Sequence, residues 1–336
     1  MPSLLMHDVT PVPPDDLLSI RDLRVRFPGE GGGVLAVDGV DLSVARGEIV
    51  GIVGESGSGK SVTAMSVLRL LTGGQSTGSI RLGGEELTTL SESAMRGLRG
   101  GRIGMVFQNP MTSLNPAYTV GAQLLEAVRL HRRLSRGASR QLVLDRLAEI
   151  GLPDPLRVFR AWPHELSGGM RQRAMIAMAM ICEPDLLIAD EPTTALDVTT
   201  QAQILWLLER LRRDHGTAIL LITHDLGVVA EICDRVVVMY AGTVVEEAIV
   251  DDLLDTPRHP YTRALIDAIP DEDRRRERLF SIPGAALMRP DQAACAFAPR
   301  CVQATGLCRS RKPVLEHTPG RRALRCWHPV GTEVPA

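Results

Sequence analysis

An α/β fold is predicted by three features of this 336-residue chain. Short apolar runs, Leu186-Leu187-Ile188-Ala189 and Ile219-Leu220-Leu221-Ile222, are bounded by polar residues, the pattern of buried parallel strands. A nearly continuous apolar run from Glu48 to Val53 leads straight into Gly54-Glu55-Ser56-Gly57-Ser58-Gly59-Lys60-Ser61, and helical character follows to Leu71. Strand, glycine loop and helix in that order are the setting a phosphate-binding loop requires. Between the two halves, from about Thr119 to Ile150, apolar residues recur at helical spacing (Val120, Leu124, Leu125, Val128, then Leu142, Leu147, Ile150) and predict a helical insert ending near Gly151-Leu152-Pro153.

Ahead of the loop, Leu18, Ile20, Leu23, Val25 and Phe27 alternate as a half-buried strand. Gly29-Glu30-Gly31-Gly32-Gly33 then turns the chain into a second run from Val34 to Val44, so the front of the domain reads as an antiparallel sheet. Residues 1–16 are Pro-rich and acidic and read as a disordered tail without the plan of a secretion signal. Residues 17–268 form the main domain, with a helical subdomain at about 110–170. After Pro270 the composition shifts to Arg, Pro and Cys, which places a boundary at about Ala268 to Arg276 and makes 269–336 a small Cys-rich extension.

An apolar share of 44% suffices for a real core, and a formal net charge of −2 gives no global attraction to nucleic acid or to an anionic membrane. The basic run Arg274-Arg275-Arg276 reads as solvated linker. The longest apolar runs, Ala174 to Cys182 and Ala218 to Thr223, fall short of the roughly 20 residues that span a bilayer. A cytosolic address with reduced cysteines is the expectation.

A triphosphate needs backbone N–H groups, a mobile cation and magnesium. The glycines let the backbone wrap the phosphates, Lys60 reaches the β- and γ-phosphates, and the Ser61 hydroxyl can coordinate magnesium. Asp190 ends an apolar run, so its carboxylate emerges at a strand tip where it can join the magnesium shell. Glu191 beside it can polarise a water as general base. Gln108 follows the apolar run Ile103 to Phe107, and His224 follows Ile222-Thr223; each is ambiguous alone. Ser167-Gly168-Gly169 precedes an expected helix from Met170 to Ile181. Either Ser167 is an ordinary cap, or the two glycines let an anion approach the helix end.

Taken together, these residues resemble an ATP-binding cassette (ABC) transporter ATPase over the whole chain from about Leu17. The phosphate loop, Gln108, the signature Leu166-Ser167-Gly168-Gly169-Met170, Asp190-Glu191, Ala195-Leu196-Asp197 and His224 fall in that family's order. The resemblance implies a P-loop fold: a RecA-like parallel core, an antiparallel β subdomain and an α-helical subdomain. It further implies that Phe27 stacks on adenine, that Gly54, Ser56 to Ser61 and Val62 line the nucleotide, and that Gln108 senses magnesium and attacking water. His224 would contact the γ-phosphate, Ser167 to Gly169 would close on the ATP of a partner subunit, and Asp197 would couple the two sites. Met170 departs from the family's commoner glutamine.

Asn109-Pro110-Met111-Thr112-Ser113-Leu114-Asn115-Pro116, the stretch Ile222 to Gly242 and His259-Pro260-Tyr261-Thr262 resemble the ATPase subunits of oligopeptide/dipeptide importers, whose family also includes nickel and glutathione importers. That implies a second, related ATPase as a heterodimer partner, two transmembrane permeases above it, an extracytoplasmic binding protein, and a place at the cytoplasmic face of the membrane. The competing reading is a soluble ABC ATPase of DNA repair or ribosomes. Such proteins carry coiled-coil insertions or two cassettes, and this sequence has neither.

In the extension, Cys295, Cys301, Cys308 and Cys326 form C-x5-C-x6-C-x17-C. A small segment poor in core residues needs a staple. Reducing conditions weigh against disulfides, structural zinc favours closer pairs, and four thiolates can hold an iron–sulfur cluster. The importer resemblance implies a [4Fe–4S] cluster; Zn2+ and unmetallated thiols are the alternatives, with His317 and His328 as weaker ligands. Cys182 and Cys233 read as inert core residues.

Overall fold

Alternating burial along the first two strands builds the front of the molecule. The structure, a computed structural model, describes residues 16–29, 33–194, 196–269, 282, 284, 293–318 and 321–331. The expected tail up to residue 15, the Arg274-Arg275-Arg276 run and Ala195 lie outside the described residues.

Strands β1 (Asp16–Phe27) and β2 (Val34–Ala45) pair antiparallel. Strand β3 (Ile49–Val53), buried at every residue, delivers the chain to helix α1 (Lys60–Val67). Strands β4 (Gln75–Leu82) and β5 (Glu85–Glu86) return to the front and complete a four-stranded sheet in the order β2-β1-β4-β5. Helix α2 (Glu92–Leu98), β6 (Ile103–Val106) and the short α3 (Pro110–Ser113) follow.

The expected helical insert is present and consists of two helices. Helix α4 (Val120–His131) stops at Arg132, and α5 (Arg136–Glu149) restarts with Ser135 as its cap, its hydroxyl accepting from the Ala138 N–H. Helix α6 (Pro155–Arg160) and a 3₁₀ turn at Pro163–Glu165 lead to α7 (Gly168–Met180).

The second half supplies β7 (Leu186–Asp190), α8 (Val198–His215), β8 (Ala218–Thr223), α9 (Leu226–Ile232), β9 (Arg235–Tyr240) and β10 (Thr243–Ile249). Helices α10 (Val250–Asp255) and α11 (Pro260–Asp267) close the main body; α12 (Gly306–Ser310), β11 (Glu316–Thr318) and β12 (Arg322–Leu324) belong to the extension. Strands β6, β7, β8, β3 and β9 run parallel, and β10, β12 and β11 continue the same sheet antiparallel. The extension therefore adds strands to the edge of the central sheet, Glu246 pairing with Leu324.

Five parallel strands buried on both faces account for the continuous apolar runs. One apolar cluster joins β7 and β8 to the helical insert and α7, and another joins the opposite sheet face to the front sheet. The glycine loop, Gln108, Glu191 and His224 thus follow the C-terminal ends of parallel strands β3, β6, β7 and β8, where ligands of open α/β sheets bind.

Candidate nucleotide-binding and catalytic site

The loop after β3 is shaped by glycines that nothing larger could replace. Gly54 has φ +154°, and a Cβ there would fall 2.2 Å from the Met239 carbonyl oxygen; at Gly59, φ +98°, it would fall 2.7 Å from that of Ala36. Gly59 caps α1 with no side chain, so the first N–H groups of the helix are left to an anion. Ser56 and Gly57 are exposed at the rim, Ser58 is buried, and Val62 packs partly into the core. Lys60 is folded back on the loop: its Nζ donates to the Gly54 and Glu55 carbonyls at 2.7 and 2.9 Å. Burial lowers its pKa, against the pull of the Glu191, Asp190 and Glu55 carboxylates.

Opposite Lys60, two neighbouring acids are pushed apart in acidity. Asp190, at the tip of β7, accepts from the Ser61 hydroxyl at 3.0 Å. Burial raises its pKa, with Glu191 adding to the rise while Ser61 and Lys60 oppose it. A buried carboxylate beside a hydroxyl, short of positive charge, suits a divalent cation, and Ser61, Asp190 and Gln108 are the residues that would hold magnesium.

Glu191 adopts a left-handed backbone (φ +48°), with its N–H donating to the Ile222 carbonyl at 2.8 Å. Its carboxylate accepts from Gln108 Nε2 at 2.9 Å and Thr194 Oγ1 at 2.8 Å, and lies 3.3 Å from His224 Nδ1. Burial would raise its pKa, but the bonds from Thr194, His224 and Gln108 outweigh that and hold it below the usual range. His224 itself is 60% exposed and faces outward. Thr194 was missed by sequence reading; its place three residues after the base is the signal that could have found it.

Ser167, Gly168, Gly169 and Asp197 form a second group. Helix α7 begins at Gly168, two residues earlier than expected, because the Ser167 hydroxyl caps it by accepting from the Met170 N–H at 3.4 Å. A Cβ on Gly169 would meet Thr200 at 2.9 Å, and Asp197 caps α8 through the Thr200 N–H at 2.9 Å and hydroxyl at 2.7 Å. Gly169 and Asp197 thereby lie side by side, both against Thr200. Phe27 ends β1 half-buried beside Gly74, where a Cβ would lie 2.9 Å from its ring.

This site is matched by known proteins along nearly its whole length. Residues 37–194 match the family model of the ABC transporter, and residues 245–308 match that of the oligopeptide/dipeptide transporter C-terminal region. The chain is 54% identical over 318 residues to "Probable peptide ABC transporter ATP-binding protein y4tR" of Sinorhizobium fredii, covering 93% of this chain and 95% of that protein. The chain belongs to the ATP-binding subunits of oligopeptide/dipeptide ABC transporters. Another relative of this ABC ATPase is the "Dipeptide transport ATP-binding protein DppD" of Escherichia coli, 46% identical over 317 residues, with 94% of this chain and 97% of that one covered. Among solved structures, the ATP-binding cassette MJ0796 bound to ADP and Pi has a TM-score of 0.63 at 28% identity, covering 69% of this chain and 98% of that one.

The cysteines of the ABC ATPase are all free thiols. Cys308 is buried, and its carbonyl accepts from the Cys295 N–H at 2.9 Å. Burial raises the pKa of Cys295 and Cys301 and pushes Cys326 up to about 12, with the other extension thiols adding electrostatically. Among the described residues, no group of three or more His, Cys, Asp or Glu side chains is placed to hold a metal ion. His328 is engaged with the Thr305 hydroxyl at 2.8 Å. As placed, the thiols sense one another without forming a metal-ligand group, so the cluster and zinc expectations gain no support. Cys182 is buried, and burial drives the Cys233 thiol far upward, as expected of inert core residues.

Proposed function

We propose that this chain hydrolyses magnesium-ATP to energise an importer of peptides or similar small solutes. The observation that carries the reading is Glu191, held ionised by Thr194, His224 and Gln108 beside the Lys60–Ser61–Asp190 group. The backbone N–H groups at the start of α1 and the Lys60 ammonium, released from the loop carbonyls, bind the phosphates. Magnesium, when bound, neutralises phosphate charge. Glu191 accepts a proton from water as the water oxygen bonds to the γ-phosphorus; the bond to the bridging oxygen breaks, releasing ADP and inorganic phosphate. Gln108 would orient that water, and the exposed His224 at the end of β8 would contact the γ-phosphate.

Transport is supported by the relatives, a probable peptide ABC transporter ATP-binding protein and a dipeptide transport ATP-binding protein. They favour transport over the non-transport ATPase reading. No described helix is long and apolar enough to cross a membrane, so the permeases would be separate chains. In this reading two permeases and a second, related ATPase join this one at the cytoplasmic face, with Ser167 to Gly169 closing on the partner's ATP. A binding protein delivers the solute. A [4Fe–4S] cluster on Cys295, Cys301, Cys308 and Cys326 is a separate proposal, resting on the resemblance of the Cys-rich extension to that of peptide-importer ATPases; iron and sulfide analysis of anaerobically purified protein tests it.

The test is to tag the chain, purify it anaerobically from native membranes in mild detergent and identify its companions by mass spectrometry. Two multi-span proteins and a second cassette are expected. A soluble homodimer, or nucleic-acid machinery, would overturn the transport reading.

A further inference from the structure

The phosphate loop carries an acid that its chemistry does not explain. Glu55 projects from the loop toward the extension, and its backbone carbonyl accepts from the Lys60 ammonium at 2.9 Å. A carboxylate on a loop that wraps a polyphosphate repels it unless something compensates.

The compensation comes from more than two hundred residues away in sequence. Arg300 donates from Nη1 and Nη2 to the two Glu55 carboxylate oxygens at 2.8 and 3.0 Å, the paired fork that a guanidinium makes and an ammonium does not. The Arg300 side chain is only 7% exposed. It also donates to the Tyr240 hydroxyl and the Ile282 carbonyl, both at 3.3 Å, and lies 5.7 Å from the Tyr240 ring centroid. The same patch holds the loop backbone, because the Glu55 N–H donates to the Tyr261 hydroxyl at 2.9 Å. Tyr240, Tyr261 and Phe297 pack ring against ring at 4.7 to 5.4 Å, with Phe297 supplied by the extension.

We propose that Arg300 is a positioning residue for nucleotide binding: from the Cys-rich extension it pins the phosphate loop and cancels the Glu55 charge that would otherwise oppose ATP. The extension is then a working part of the ATP site. Arg300 immediately precedes Cys301, so whatever fixes that turn fixes the latch. The inference rests on the ATPase reading but not on import.

The test is nucleotide affinity of the purified full chain, measured by calorimetry with magnesium-ATP, for wild type, R300K, R300Q and the double variant E55Q/R300Q, with thermal unfolding alongside. R300Q is expected to weaken ATP binding by about tenfold, the effect of one uncompensated charge. R300K should fall between, since it keeps the charge and loses the fork. The double variant should recover most of the lost affinity, which a purely structural role for Arg300 would not produce. Wild-type affinity in R300Q, or a double variant no better than R300Q, would overturn the proposal. If R300Q does not fold, R300K with wild-type affinity would do so. A wild-type chain that binds no ATP would instead sink the ATPase reading.

Discussion

Gln108 Nε2 donates to Glu191 Oε2 at 2.9 Å, joining the ends of two adjacent parallel strands, β6 and β7, at the mouth of the phosphate site. The bond spans 83 positions of sequence. It ties the segment that leaves β6 to Glu191, the proposed base.

Replacing that base separates binding from chemistry. In E191Q the loop, Lys60 and Asp190 are untouched, so ATP binding should persist while hydrolysis falls by about 100-fold or more. Parallel binding and turnover assays check this; undiminished turnover would remove Glu191 from its role.

The acidity of Glu191 gives a pH prediction. Its folded pKa lies below the ordinary value of 4.5, so the carboxylate stays ionised, and its bonds stabilise the fold, at and above that value. The stabilisation is lost only as pH falls through the lower, folded pKa. Removing the Thr194 hydroxyl in T194A should move the acidic limb of the pH–rate profile upward. An unmoved limb would show that Thr194 does not tune the base.

Asp190 and Ser61 should matter only through magnesium. With chelator present, wild-type hydrolysis should stop, and D190N in saturating magnesium should resemble the chelated wild type. Retention of magnesium-dependent turnover by D190N would assign the metal elsewhere.

Stability should be most sensitive at Arg235. Its side chain is 3% exposed and pairs with Glu48 at 3.0 Å and with Glu247, tying β9 to the start of β3 and to β10. In R235M Glu247 stays buried without its cation and Glu48 keeps only Arg321, at 3.2 Å, a loss of about 3 kcal/mol. Urea unfolding measures it; a change under about 1 kcal/mol would mean solvent reaches the acids.

Much of this molecule was legible because its elements are local. Buried parallel strands announce themselves as apolar runs, and the phosphate loop carries its glycines in sequence order; Gly54 and Gly59 are there for backbone room. What could not be read lies in long-range pairing. Nothing in the spacing says that Glu55 meets Arg300, or that Thr194 reaches Glu191 once Glu191 takes a left-handed turn. The strands of the extension are three residues each, too short for alternation to show, so their joining of the central sheet at Glu246 and Leu324 was invisible. Cysteine spacing likewise suggested a ligand set, which the placement of the described thiols leaves without support.

The central claim is that hydrolysis at Glu191 drives peptide import. The most direct measurement is uptake of a labelled dipeptide by cells deleted for this chain and carrying either the wild type or E191Q. Wild type should restore uptake and E191Q should not, although both are made and membrane-bound. Uptake that survives the deletion, or is restored by E191Q, would contradict it.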